Sequence, residues 1–579
     1  MKKSILLILI IVSIRAEIRY VKAGSPNPVP PYISWATAAD SIGKALAVCL
    51  PGDTVFVGNG TYKETVVIPY GVSLIGQGRD SCVWDLRTLT SRASELGYIH
   101  LRDSCILKGF KIISRDTVSY INISTDKNAQ KSLITENEML YGSTVARISN
   151  VIGNVFKNCP AAMSVDYDFV PNNTKNTPWL IKDNIFIDCK SGIYVTIQVS
   201  AGSPLEISNN YFYIQPNRLR DYDHCYSNFI SFRYSILFSN NIMVAYPRNY
   251  SVLPQVGLNG GEIIRNNVFS SRNHPDPMYY YREQIAVNSR PEAKLINNHH
   301  ENNPLAINIS PQGMANGAQI KYNNYWNVKW KYDIDNPDSS TELRADPMFV
   351  KDTVDFHLQK YSPLIDRGDP EIQDKDGTRS DIGAYGGLLG EIYTYIDKAP
   401  RIPVGLQVSK SDSFIVLRWR KNTEADFDRY HIYGDSVSGF TADSGKYLTY
   451  TRDTVLAMPE RLFRWSKAYF RVKAIDRQGN KSEGSMWAGI VLTGMNEWAK
   501  VAEKYRLNQN YPNPWGSGGR EKTRISYEIK ERSYVKLRVY NILGDEVALL
   551  VNGEQPAGYY EYEFGNPVIA EELKGIKLA

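Results

Sequence analysis

Residues 207–212 read Ile207-Ser208-Asn209-Asn210-Tyr211-Phe212, and the same short pattern returns along the chain. An apolar residue is followed by small or polar residues, then Asn, then further apolar residues. Upstream it stands as Ile152-Gly153-Asn154-Val155-Phe156 and Ile181-Lys182-Asp183-Asn184-Ile185-Phe186. Downstream it stands as Phe238-Ser239-Asn240-Asn241-Ile242 and Ile264-Arg265-Asn266-Asn267-Val268-Phe269. Two more copies are Ile296-Asn297-Asn298-His299 and Tyr322-Asn323-Asn324-Tyr325-Trp326. The second Asn of the motif falls at Asn154, Asn184, Asn210, Asn241, Asn267, Asn298 and Asn324. The successive spacings are 30, 26, 31, 26, 31 and 26 residues.

A period of this length describes a solenoid with one supersecondary unit per turn. Each copy is a short apolar strand bounded by turn residues, and no 3.6-residue apolar stripe persists, so helical repeats fit badly. A parallel β-helix explains the Asn. Its short polar side chain tolerates the left-handed backbone of a sharp corner. Equal side chains stacked one strand spacing apart also form an amide ladder. The seven Asn residues are therefore read as structural.

The chain has 579 residues, enough for several domains. Its 39 Tyr and 41 Gly favour strands and turns over long helices. A net charge of +6 with no Lys/Arg block argues against a nucleic-acid partner. Lys2 and Lys3 followed by the apolar run Ser4–Ile14 read as a signal peptide over 1–16, ending near Ala16. No later run is long enough to span a bilayer. Six cysteines occupy the first half: Cys49, Cys82, Cys105, Cys159, Cys189 and Cys225. Cys82 with Cys105, and Cys159 with Cys189, are about one coil apart, open to pairing as disulfides in an exported chain or to burial as free thiols.

Ala36–Leu50 reads as an amphipathic helix capping the solenoid. Thr54–Val57, Glu64–Ile68 and Val72–Gly76 follow as the first strands. The string PGDTVFVGNGTYKETVVIPYGVSLIGQG, residues 51–78, resembles the pectate-lyase-like right-handed β-helix family. The fold expected is thus all-β, with a right-handed parallel β-helix over 17–395. The closing segment, Ala345–Val350 through Asp381-Ile382-Gly383-Ala384-Tyr385-Gly386-Gly387, resembles that of many exported bacterial β-helix proteins. Its acids Asp369, Asp374, Asp376 and Asp381 are candidate calcium ligands, although the EF-hand spacing is missing.

Beyond a Pro-containing linker, residues 400–494 resemble a fibronectin type III domain, with Trp419 and Tyr469 as expected core anchors. Residues 502–579, from Leu507-Asn508-Gln509-Asn510-Tyr511-Pro512-Asn513-Pro514 onward, resemble the C-terminal sorting domain of the type IX secretion system. That resemblance implies the secretion machinery as a partner and an extracellular or cell-surface location. The chain ends Leu573–Ala579 where the family carries a different last strand.

The β-helix resemblance implies polysaccharide as substrate or ligand, without choosing between a lyase and a noncatalytic binding protein. The acid-pair strings of the related hydrolases are absent. A lyase needs calcium held by acids and an Arg or Lys base. Asp166 and Asp168, together with Arg218, Arg220, Asp221, Asp223 and His224, are the nearest sets; solvated loop charge is the plainer reading. Tyr279, Tyr280, Tyr281 and Arg282 are candidates for stacking on sugar rings, or for packing on the solenoid.

Overall fold

The computed structural model describes residues 16–89, 98–115, 121–126, 131–145, 149–167, 179–189, 192–197, 205–214, 236–245, 256–258, 263–271, 283–287, 293–303, 305–309, 317–332, 340–351, 354–463, 465–492, 505–510, 522–540, 546–555 and 558–565. These separate into two compact units. One comprises 1–345 with 364–393; the other comprises 346–363 with 394–577.

The first unit is a right-handed parallel β-helix. Among the described residues, sheet A has 12 strands, from Ile18–Val21 to Gln319–Lys321, and sheet B has 11, from Gly60–Tyr62 to Asn324–Trp326. Sheet C is described in two parts. Six strands run from Val66–Ile68 to Ile193–Ile197, and four run from Val256–Leu258 to Trp330–Tyr332. One coil shows the path: Leu133–Thr135 in A, Glu138–Leu140 in B, Ser143–Val145 in C, then Asn150–Ile152 in A again. Inward residues of successive coils stack into one apolar core. Phe156, Phe186 and Phe212 lie parallel at centroid distances of 4.8 and 4.6 Å. Alternation within each strand leaves its other face outward.

The corner between sheets A and B carries the Asn residues, and its geometry corrects the sequence reading in two respects. The left-handed backbone belongs to the residue before each ladder Asn: Glu136, Gly153, Asp183, Asn209, Asn240, Asn266, Asn297 and Tyr322. The ladder Asn itself points inward. Asn184 Oδ1 accepts from the N–H and Nδ2 of Asn154 at 2.9 and 3.1 Å, and the pattern repeats through Asn210, Asn241, Asn267 and Asn298. The last rung is Asn323 rather than Asn324, because Tyr322 takes the left-handed slot there. Asn324 instead begins a sheet B strand and bonds His299 and Ala345. One more rung, Asn137, precedes Asn154.

The expected helix over Ala36–Leu50 is one turn, Ile42–Leu46. Ala39 is drawn into a parallel bridge with Val21, which separates that turn from a short 3-10 helix at Trp35–Thr37. Ser41 caps the turn and the Glu64 carboxylate accepts from the N–H groups of Ile42 and Gly43, both at 2.8 Å. Ile42, Ala45 and Leu46 join the solenoid core.

Segment 364–393 returns along the solenoid and is held by the first Asn of each doublet. Asn297 Oδ1 accepts from Asp369 N, while Nδ2 of Asn266, Asn240 and Asn209 donates to Asp381 O, Ala384 O and Leu389 O respectively. The described cysteines, Cys49, Cys82, Cys105, Cys159 and Cys189, are free thiols.

In the second unit, Phe349–Lys351 and Asp355–Leu358 form an antiparallel pair. Two sheets then build a sandwich. Gln407–Ser411, Phe414–Arg418 and Val455–Pro459 form one; Tyr447–Thr451, Phe427–Asp435, Lys467–Asp476 and Ala488–Val491 form the other. Trp419 is buried against Tyr430. Tyr469 is not part of that core: Ala468, Phe470, Val472 and Ala474 face inward, so the pleat turns Tyr469 toward Tyr433 and Trp487. Further on, Lys522–Ile529 pairs with Gly558–Gly565, and Ser533–Tyr540 with Glu546–Gln555, around Tyr527, Ile529, Leu537 and Val551.

Candidate functional site

Sheet C brings together the polar groups best suited to a function. Its register places His100 between Val67 and Ser124 on neighbouring strands. Ile99, Leu101 and Ile123 belong to the core, and Val67 is 44% exposed, so this row faces outward. The His100 ring spans two partners: Nδ1 lies 2.8 Å from Ser124 Oγ, and Nε2 lies 2.7 Å from Asp126 Oδ1. An ionised carboxylate only accepts, so Nε2 carries a proton. In the neutral ring, Nδ1 then accepts the Ser124 hydroxyl proton. The Ser–His–Asp order is that of a hydroxyl beside an imidazole whose tautomer and orientation a carboxylate fixes. His100 and Ser124 are buried, while the Asp126 side chain is 43% exposed and presents the open end of the set.

Asn122, two residues before Ser124, is fully buried, and neither amide atom has a hydrogen-bond partner among the described residues. It fits because residue 142 is Gly: a Cβ there would lie 1.4 Å from Asn122 Nδ2.

Sheet B carries a second polar set. His299 Nδ1 lies 2.9 Å from Asn324 Nδ2, its Nε2 lies 3.6 Å from Glu301, and Glu301 accepts from Ser270 Oγ at 2.6 Å. All four residues are buried. Next to them His300 is stacked between Phe269 and Tyr325, and burial beside His299 holds its pKa well below the usual imidazole range. A ring kept neutral inside an aromatic stack is a core residue.

The residues nominated from sequence distribute as follows. Asp166 lies in the sheet C strand Met163–Tyr167, paired with Thr196. Asp168, Arg218, Arg220, Asp221, Asp223, His224, Tyr279, Tyr280, Tyr281 and Arg282 lie outside the described residues. Asp168 directly follows the strand Met163–Tyr167, and Tyr279–Arg282 directly precede the strand Glu283–Val287. In sequence, residues 218–224 stand between the strands Tyr211–Ile214 and Ile236–Ser239.

The four acids of the returning segment serve as turn caps. Asp369 accepts from Glu371 N, Asp376 from Thr378 N and Oγ1, and Asp381 from Asp366 N. Asp374 accepts from the N–H groups of Asp381 and Gly387, and burial raises its pKa. Among the described residues a different set meets the spacing for one shared ion: Asp397, Asp426 and Asp476.

Sequence reading missed His100, Ser124 and Asp126. The signal was present in Ile121-Asn122-Ile123-Ser124-Thr125-Asp126, where polar residues alternate on one face of a strand.

No family model matches the chain, and no curated protein matches it. Among solved structures it is similar to pectate lyase Pel9A, at 15% identity and a TM-score of 0.35 over 64% of this chain and 97% of that one. It is similar to the PL6 family alginate lyase AlyGC at 14% identity and a TM-score of 0.32, over 64% of this chain and 60% of that one. It is also similar to PfbA, a surface adhesin of Streptococcus pneumoniae, at 12% identity and a TM-score of 0.27, over 50% and 88%. At such identities the fold rests on the chain's own parallel sheets, which define an all-β protein built on a right-handed parallel β-helix.

Proposed function

We propose that this is an exported protein whose β-helix binds or acts on an extracellular polysaccharide along the outward side of sheet C. The observation that carries the reading is the bridged His100, held between Ser124 and Asp126 on that face. Hydroxyl-rich sugars are recognised by such fixed donors and acceptors, and a His oriented by a carboxylate is suited to proton transfer. In the lyase form, Asp166, Asp168, Asp221 and Asp223 would supply calcium ligands and Arg218 or Arg220 the base. The second form is a noncatalytic binding or adhesive protein, favoured by the burial of His100 and Ser124.

The appended parts fit export. The three-plus-four strand order over 407–491 supports the fibronectin type III reading. The alternating strands of 522–565 support a sorting domain read by the type IX secretion machinery. The basic, then apolar, start supports a signal peptide. No helix among the described residues is long and apolar enough to cross a membrane.

The test is incubation of the purified chain with a panel of uronic-acid polymers and Ca²⁺, following the ultraviolet absorbance of unsaturated product and the release of reducing ends. Product formation supports the lyase. Retained glycan binding with neither signal supports the binding form. Absence of both binding and product overturns the proposal.

A further inference from the structure

We propose that Asp397, Asp426 and Asp476 form a binding site for a hard divalent cation, Ca²⁺, that fastens the segment entering the sandwich onto the sandwich itself. One carboxylate oxygen from each residue lies within 4.8 Å of the other two. A single Ca²⁺ with oxygen ligands at about 2.3–2.6 Å reaches all three from one position. Asp397 stands in the segment before the sandwich and is exposed, whereas Asp426 and Asp476 are 5% and 2% exposed.

Three features distinguish this set from an ordinary acidic patch. The first is the state of Asp426. Its carboxylate is buried, no hydrogen-bond donor of another residue reaches it among the described residues, and its oxygen is turned toward the other two acids. Burying an ionised carboxylate whose one donor is its own backbone N–H is costly, and a cation at the shared point offsets that cost. The acids of segment 364–393 differ: there backbone N–H groups take up the carboxylates.

The second is the positioning of Asp476. Its Oδ1 accepts from Asn480 N at 2.8 Å and its Oδ2 from Asn480 Nδ2 at 2.9 Å. The turn that allows this passes through Gly479 at a φ of 92°. An amide donating to a carboxylate from behind is how ligating acids are oriented in metal sites. The third is the tie between the two segments that carry the ligands, for Arg477 N donates to Asp426 O at 2.9 Å. Two of the ligands are thus in place before any ion arrives.

The neighbouring charges leave the cluster negative. Glu424 adds to the repulsion felt by Asp426, but it is itself engaged by Arg401, whose Nε lies 3.6 Å away. Arg401 also holds both oxygens of Asp346. No Lys or Arg pairs with Asp397, Asp426 or Asp476 among the described residues, so the charge is left for an ion to balance.

The experiment uses the full chain stripped with a chelator, titrated with CaCl₂ by calorimetry and melted with and without Ca²⁺. Asp397→Asn and Asp426→Asn are compared with wild type. Asp397 is exposed, so its variant folds even if the buried one does not. Wild type is expected to bind Ca²⁺ and melt higher with it. Asp397→Asn is expected to weaken binding at this site at least tenfold, and Asp426→Asn to abolish its share of the melting shift. A wild type indifferent to Ca²⁺, or variants that keep the full shift and affinity, would overturn the proposal. Glycan binding and turnover are read on other residues, so this outcome stands apart from that of the polysaccharide test.

Discussion

Asn209 and Asn210 are neighbours in sequence and serve opposite sides of the same corner. Asn210 faces inward, where its Oδ1 accepts from the N–H and Nδ2 of Asn184, both at 3.0 Å. Asn209, in the left-handed conformation, faces outward and donates to Leu389 O at 3.1 Å. The doublet recurs at Asn240-Asn241, Asn266-Asn267 and Asn297-Asn298, the coils along which segment 364–393 runs. The remaining rungs have Glu136, Gly153, Asp183 or Tyr322 before the ladder Asn.

Breaking a rung therefore destabilises the solenoid from within. In Asn241→Ala, the buried N–H of Asn210 and the Ile207 carbonyl each lose a partner. At about 1–3 kcal/mol for each orphaned group, the expected loss is about 3 kcal/mol or more. Urea unfolding of the full chain measures it. A loss below about 1 kcal/mol would mean that the ladder adds little to the stability of the coils.

Breaking the outer contacts is expected to act locally. Gly386→Ala would put a Cβ 2.2 Å from Asp381 O and 2.8 Å from Asn266 Nδ2. The returning segment must then shift, while the coils beneath keep their ladder. Limited proteolysis read by mass spectrometry is expected to cut within 364–393 faster than in wild type, with Asn240→Ala intermediate. Equal cleavage rates in all three proteins would refute the attachment.

These two contacts also show what the sequence could and could not convey. The Asn period located the coils because a solenoid must repeat its corner. It could not tell which Asn of a doublet faces inward, since both residues suit a corner, and so the last rung was placed at Asn324 instead of Asn323. Asn137 escaped because Glu136 and Glu138 flank it in place of the usual small and apolar neighbours. Tyr469 was misread because a large aromatic suggests a core, whereas the pleat assigns the core to Ala468 and Phe470. The Asp397, Asp426 and Asp476 set was hidden by separations of 29 and 50 residues, which only the folded chain closes.

The thiols are expected to be inert in the folded chain. Burial pushes Cys82 up to about 12 and Cys105 up to about 11, and raises Cys189 well above the ordinary thiol value. The thiolate is the reacting species, so alkylation at mildly alkaline pH should label these three only after denaturation. Labelling of Cys82 at the rate of a free thiol under native conditions would contradict its burial.

His100 offers the sharpest separation of the two functional forms. If sheet C is catalytic, His100→Gln keeps much of the side-chain volume but loses the proton carrier, and kcat/KM should fall by about 100-fold or more. Ser124→Ala should lower it as well. If the face only binds, neither change touches turnover, and glycan affinity falls instead as the outward polar row is disturbed. Steady-state kinetics beside equilibrium binding on the same variants distinguishes these outcomes.

The sandwich should respond to pH in a direction fixed by Asp426. Burial, with Asp476, Asp397 and Glu424 nearby, raises its pKa from 3.8 to about 6. An acid whose folded pKa is raised binds its proton more tightly in the native state. Its contribution therefore improves as pH falls from above 6 toward 4, opposite to that of a salt-bridged carboxylate. Asp435, lowered by its hydrogen bond and ion pair with Lys446, is of the ordinary kind and does not supply this trend. In chelator-stripped protein, scanning calorimetry should show the sandwich transition rising over that interval, and Asp426→Asn should flatten the rise. Saturating Ca²⁺ should reverse it, because a bound cation favours the ionised carboxylate and protons then compete with the metal. A transition that ignores both pH and Ca²⁺ in this range would mean that Asp426 is neither strained by its neighbours nor available to an ion.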